Sequence, residues 1–312
     1  MNKTLILIHG RATKPEEQDL KALWLDAIRH GIKRDHGQET LDIFNQLTID
    51  FVYYGDLSNQ FLKQHDDSLT IPDDIESRQD ALNQLKNYSP KQFNKTTYNK
   101  INKTNHFKEA LADTFSGILA ALGAGDNLIG AVAPDMKHYW YNDSYFGSDV
   151  RYRLTKVLTK RLSQDKNIML VAHSLGSIIA YDNLWKLSHY SEYRNSGIKH
   201  KKIDTLITLG SPLSDENVKQ HLKGSANSGK YKYPNNIKHW VNIAAEDDYI
   251  SHDSQLKNDY QEMLHLNLIE NIKDITPVYN LTVRNQRSNP HSSIGYLIHP
   301  KFIQQLVHWF TP

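Results

Sequence analysis

IMLVAHSLGSIIAYDNLW, residues 168–185, changes character at its centre. Ile168 to Ala172 is a short, continuous apolar run, the pattern of a strand buried on both faces, and such strands belong to parallel sheets covered by helices on either side. From Leu175 onward small and apolar residues follow at a spacing suited to a buried helix. Only His173 and Ser174 separate the two, so the turn is tight. Ala172 and Gly176, two residues before and after Ser174, are both small; larger side chains there would collide with the neighbouring strand and helix. The stretch predicts a serine hydroxyl held clear of the sheet, facing backbone N–H groups and the positive dipole end of a helix.

Outward from this turn, other short β-rich runs recur: TLILI (4–8), IDFVYY (49–54), DTLITL (204–209), WVNIA (240–244) and VYNLTV (278–283). Helix-period segments alternate with them, which predicts an α/β fold with a doubly wound, mainly parallel sheet. The first crossover helix is marked by a Thr13/Glu16 capping-box pair, by Leu20, Leu23, Trp24, Ala27 and Ile28 on one face, and by Gly31 as its stop. A second opens near Ser148 and carries Val150, Leu154, Val157 and Leu158; PKFIQQLVHWF (300–310) reads as a closing helix. The long span between the second and third runs exceeds one crossover and predicts a helical cap inserted at about 57–146. Within it, FNKTTYNKINKTN (93–105) reads as a surface loop, and the aromatic HYWYNDSYF (138–146) as core of the cap. No Pro/Gly/Ser linker divides the chain, so residues 1–312 are expected to form a single domain.

The 312 residues carry 37 Lys+Arg against 35 Asp+Glu, a balance that gives no nucleic-acid signal. Zero cysteines exclude disulfides, Cys-ligated metals and a thiol nucleophile, and fit a reducing, cytoplasmic setting. The apolar run at the N-terminus, Thr4 to Ile8, is too short for a secretory signal. FSGILAALGAGDNLIGAVAP (115–134) is broken by Asp126, Asn127 and several glycines, which argues for a buried or lid-like hairpin rather than a bilayer span.

The strand, turn and helix at 168–185 form the GxSxG nucleophile-elbow pattern with alanine in the first glycine's place. The first strand ends in Ile8-His9-Gly10-Arg11, where glycine lets the chain turn closely beneath the elbow. Arg11 N–H and Leu175 N–H can then form a two-donor oxyanion hole. His9 and His173 border this turn and read as structural, packing beside it or bonding its backbone. Arg11 counts through its backbone, with its side chain a lesser candidate for an acidic substrate group. Asp182 and Trp185 read as packing or surface residues.

On these residues the chain resembles the α/β-hydrolase superfamily, with LILIHGR as its oxyanion-loop strand and AHSLG as its elbow, and its lipase and esterase branch in the large cap. The resemblance covers roughly 200 residues and not the insert; strands before LILIHG are missing, which implies a trimmed sheet. It implies that the acid and the histidine follow the serine. Asp248, in the loop after WVNIA, is similar to the family's acid because Ile250 follows as an aliphatic anchor, which Asp247 lacks at that spacing. His291, in SNPHSS after VYNLTVRN, is similar to the family's histidine. The implied activity is cleavage of a small-molecule or lipid-like carboxylic ester through an acyl-enzyme on Ser174, Asp248 and His291, with no cofactor or metal. Acyl transfer or thioester cleavage on the same triad, a non-catalytic binding protein of the same fold, and a lipase touching a membrane surface through 115–134 remain alternative readings. The sequence leaves the oligomeric state open.

Overall fold

The computed structural model describes residues 3–11, 13–65, 75–104, 134–140, 145–164, 167–193, 197–198, 200–251 and 255–311. Six strands, β1 (Lys3–Ile8), β2 (Thr48–Val52), β3 (Asn167–His173), β4 (Ile203–Leu209), β5 (Ile237–Ala245) and β6 (Asn271–Val278), form one sheet in the order β2-β1-β3-β4-β5-β6. All its pairings are parallel. A short antiparallel pair, β7 (Val283–Arg284) and β8 (Arg287–Ser288), stands apart.

The continuous apolar runs are explained by burial on both faces. Ile6, Ile8, Leu170 and Ala172 join one core cluster, while their neighbours Leu5, Leu7, Met169 and Val171 join another. The second cluster is completed by α1 (Glu17–Phe44), which is broken at Gly37 (φ 85°). Helices α2 (Gly55–His65), α3 (Ile75–Lys86), α4 (Lys95–Thr104) and α5 (Pro134–Trp140) follow before α6 (Phe146–Ser163) and the elbow helix α7 (Leu175–His189), whose apolar faces fill the first cluster. After β4 come α8 (Glu216–His221), α9 (Leu256–Asp259) and α10 (Gln261–His265), then α11 (Ser293–Leu297) and α12 (Pro300–Phe310), the last two packed on α1. No helix among the described residues is long and apolar enough to cross a membrane.

Four sequence expectations need correction. The sixth strand is Asn271–Val278, not 278–283: NIKDITPV is an edge strand, so it tolerates Pro277 and is mostly exposed or half-buried, while the apolar Leu281 is buried in the loop beyond. The Thr13/Glu16 capping box does not form, because α1 starts at Glu17 without a side-chain cap. Gly31 does not end that helix; Ile303 of α12 packs closely over it, where a Cβ would lie 2.7 Å from the Ile303 side chain. Residues 95–104 form a helix rather than a loop, since Tyr98 is buried and Ile101 packs against the core while Lys95, Asn99 and Lys100 are exposed.

In the span 57–146 the described helices join the main core: Leu82 and Leu85 of α3 share a cluster with Trp24, and Tyr139 of α5 one with Leu154. Tyr139 is buried and Tyr145 is 85% exposed. The segment read as a lid, 115–134, lies outside the described residues apart from the backbone of Pro134.

Candidate active site

The strand order reverses direction between β1 and β3, and in open parallel sheets the crevice beyond the carboxyl ends at such a switch is where ligands bind. The register aligns those ends. Ile8 stands beside Ala172, His173 beside Leu209, and Leu209 beside Ile243. Arg11, Ser174, Gly210 and Asp248 therefore emerge on one edge of the sheet.

Ser174 occupies a turn that reverses β3 into α7. Its backbone is at φ 54°, ψ −127°, a strained conformation for a residue with a side chain. The strain is held by packing and hydrogen bonds: Ser174 N–H donates to Leu209 O at 3.0 Å, and the Ser177 hydroxyl donates to Ser174 O at 2.6 Å. Gly176 is obligatory here, because a Cβ would lie 2.5 Å from His9 O. As the first residue of α7, Leu175 carries an N–H that has no acceptor within the helix.

Ser174, His291 and Asp248 meet in line. His291 Nε2 lies 2.9 Å from Ser174 Oγ, and His291 Nδ1 lies 2.9 and 3.0 Å from the two Asp248 carboxylate oxygens. Asp248 is 2% exposed. It also accepts from Ile250 N–H at 3.1 Å and from the Tyr296 hydroxyl at 2.5 Å, while that hydroxyl accepts from Ala245 N–H at 2.9 Å. Burial and the Asp248 carboxylate push the Tyr296 phenol well above its ordinary pKa, so it stays a donor. Gly210, at φ 53°, gives the carboxylate its room: a Cβ there would lie 2.7 Å from Asp248 Oδ2. Asp247 faces elsewhere, within 3.2 Å of the Tyr98 hydroxyl.

The loop carrying His291 is irregular but firmly held. The buried Asn280 donates through Nδ2 to the carbonyls of Pro290 and Ser292, both at 2.9 Å, and His173 Nε2 donates to the carbonyl of His291 at 2.8 Å. Three consecutive carbonyls are thus fixed. Burial, reinforced by the neighbouring His291, lowers the His173 pKa well below the usual histidine value, and it stays neutral.

His9 does the same for the loop after β1. Its Nε2 accepts from Tyr54 N–H at 3.1 Å, which puts the proton on Nδ1 for donation to Gly10 O at 2.8 Å. Because the peptide unit is planar, fixing the Gly10 carbonyl also fixes the opposite-facing Arg11 N–H. Burial, followed by the Lys14 charge, lowers the His9 pKa to about 3. Lys14 Nζ donates to Arg11 O, and the Tyr54 hydroxyl donates to His9 O at 2.9 Å.

The Arg11 side chain does not point at a ligand. It forks onto the buried Asp135 at the start of α5, with Nε 2.7 Å from both carboxylate oxygens and Nη2 2.6 Å from Oδ1. Asp135, Tyr296, Gly210 and Asn280 escaped the sequence reading. Of these, only Gly210, a glycine directly after a strand, carried a local signal. Asp182 is buried, accepting from the Tyr139 hydroxyl at 2.9 Å and Lys223 N–H at 2.9 Å, and so ties α5 to the elbow helix.

Ser174 and His291 open on a pocket of about 120 Å³ shared with Gly10 and Arg11. The arrangement places a hydroxyl and an imidazole oriented by a buried carboxylate around one small space. No protein-family model, curated protein or solved structure matches the chain.

Proposed function

We propose that this protein is a serine hydrolase of the α/β-hydrolase type that cleaves carboxylic esters through an acyl-enzyme. The observation that carries this is the unbroken line from Ser174 Oγ through His291 to Asp248, with spacings of 2.9, 2.9 and 3.0 Å, at the carboxyl edge of a parallel sheet. Supporting it are the strained turn at Ser174 and the chain order serine, acid, histidine.

In this reading His291 Nε2 takes the Ser174 proton as the oxygen attacks the ester carbonyl. The resulting oxyanion sits between Leu175 N–H and Arg11 N–H. Collapse expels the alcohol, which leaves with the proton from His291, and a water activated by the same imidazole releases the acid. Asp248 holds the Nδ1–H tautomer and stabilises the imidazolium. The alternative of an acyl-accepting alcohol uses the same groups with a different nucleophile in the second half.

A fluorophosphonate probe tests the reading. The wild type is expected to label at Ser174, located by peptide mapping, and Ser174→Ala to lose both the label and kcat on a short ester by about 10⁴ or more. Labelling that persists in Ser174→Ala would sink the proposal.

A further inference from the structure

Behind the elbow, buried groups form a one-way chain of hydrogen bonds. Ser177 Oγ lies 2.6 Å from Ser174 O and 2.7 Å from Ser211 Oγ, and Ser211 Oγ lies 3.3 Å from the backbone nitrogen of Leu213. A carbonyl oxygen can only accept and a hydroxyl carries one proton, so the protons can be placed. Ser177 donates its proton to Ser174 O. The contact with Ser211 must then use the Ser211 proton, and Ser211 accepts from Leu213 N–H. Ser177, Ser211 and Leu213 are all buried, which keeps bulk water from competing for these bonds.

The two hydroxyls belong to different elements. Ser177 is in the first turn of α7, whereas Ser211 follows Gly210 in the loop after β4. That loop is itself fastened: Gly210 N–H donates to Ile243 O at 3.0 Å, and the buried Tyr260 hydroxyl donates to Leu213 O at 2.9 Å. Ser174 O also accepts from Ser177 N–H at 2.9 Å, so two donors from one residue converge on it. Ser174 O and Leu175 N–H are opposite ends of a single planar peptide, and fixing the carbonyl fixes the direction of the N–H. Accepting two hydrogen bonds also polarises the amide, which makes its N–H a stronger donor. The Gly10–Arg11 peptide is gripped in the same way, by His9 on its carbonyl. Both proposed oxyanion donors are therefore held from behind by a buried side chain.

We infer that Ser177 and Ser211 are positioning residues for the oxyanion hole: Ser211 sets the direction of the Ser177 hydroxyl, which holds the Ser174–Leu175 peptide so that its N–H meets the oxyanion. This rests on the hydrolase reading and adds no step to it. Neither side chain lines the Ser174 pocket, so the pair acts on the tetrahedral intermediate and not on binding of the ester.

The test pairs 4-nitrophenyl butyrate as substrate with a trifluoromethyl ketone of similar length, which a nucleophilic serine converts to a tetrahedral oxyanion. Ser177→Ala is expected to lower kcat about tenfold with KM within about twofold, and to weaken the ketone by a similar factor. The turn still holds Ser174 in this variant, so fluorophosphonate labelling persists. Ser211→Ala should act in the same direction by about threefold. The double variant should be no worse than Ser177→Ala alone, since Ser211 acts only through Ser177. Ser188→Ala removes a hydroxyl bonded to Leu184 O at 2.8 Å near the far end of the same helix, and should leave kcat and ketone affinity unchanged. The inference is overturned, with the hydrolase reading intact, by any of three results: a Ser177→Ala kcat within about twofold of wild type, a fall in kcat with ketone affinity unchanged, or losses that multiply in the double variant. Should circular dichroism show Ser177→Ala unfolded, Ser211→Ala decides alone: kcat and ketone affinity falling together uphold the inference, and both unchanged overturn it. If the wild type cleaves no ester and Ser174 takes no fluorophosphonate, the hydrolase reading itself falls and this inference with it.

Discussion

At the elbow, residues 167–189, the position of Ser174 follows from near neighbours in sequence: a buried strand, a small residue on either side, a helix whose first turn begins at the next residue. In the loop after β1 the position of Arg11 N–H follows from distant side chains, His9 against Tyr54, Asn59 on the backbone of Lys14 at 2.9 and 3.0 Å, and Asp135 on Arg11. One wall of the pocket is backbone geometry; the other is a set of tethers. Local geometry survives the loss of a single contact elsewhere, whereas a tethered loop fails when one tether goes. In the proposed mechanism the nucleophile should therefore be robust and the oxyanion side vulnerable to substitutions far from the reacting atoms.

The sharpest break in that comparison concerns the acid, which orients the histidine from the elbow side. Asp248→Asn should lower kcat on a short ester by about 10³ to 10⁴, since the amide favours the wrong imidazole tautomer, while Asp247→Asn should cost less than about tenfold. Steady-state kinetics on both folded variants decides it; the reverse pattern would move the acid by one residue.

A smaller effect tests the tethered wall. Asp135→Asn removes the charge that holds Arg11 and should lower kcat by about 10² with little change in KM, the signature of a donor displaced from the transition state. The same variant should still label at Ser174, though more slowly. Unchanged kcat would show that the loop holds its shape without this tether.

The smallest effect separates the two walls from the rest of the fold. His9 and His299 both titrate near 3 in the folded protein, lowered chiefly by burial, against an ordinary value of 6.5. The unfolded chain therefore binds protons first as pH falls, so stability is full above about 6.5 and is lost progressively toward 3. Each contributes a loss of about 2 kcal/mol by pH 5. His299 caps α12, accepting from Lys301 N–H at 3.1 Å, and lies outside the pocket. His299→Asn keeps a good N-cap and should flatten the fall in stability between pH 7.5 and 5 by that amount, measured by urea unfolding. An unchanged slope would mean that this histidine does not stay neutral in the fold.

Legibility in the sequence follows the same division. The elbow is readable because its constraints lie within five residues, and the closing helix 300–310 because its apolar spacing is strong. Asp248 was separable from Asp247 through Ile250, which is buried and whose N–H binds the Asp248 carboxylate. The sixth strand was misplaced because an edge strand looks polar while the loop beyond it buries Leu281. Asp135, Tyr296 and Asn280 have no local pattern at all. Their partners lie 124, 48 and 10 or more residues away, so only the folded chain brings them into play.

The contact between Ser174 and His291 closes a loop of 117 residues, and that between Arg11 and Asp135 one of 124. During synthesis, which proceeds from the N-terminus, Asp135 emerges before the serine and His291 long after it. A nascent chain that has just displayed its elbow thus already owns both halves of the Arg11 tether but no base. In the proposed mechanism, chemistry at this serine would switch on only when the loop held by Asn280 docks, so the order of translation would keep an incomplete chain from attacking esters around it.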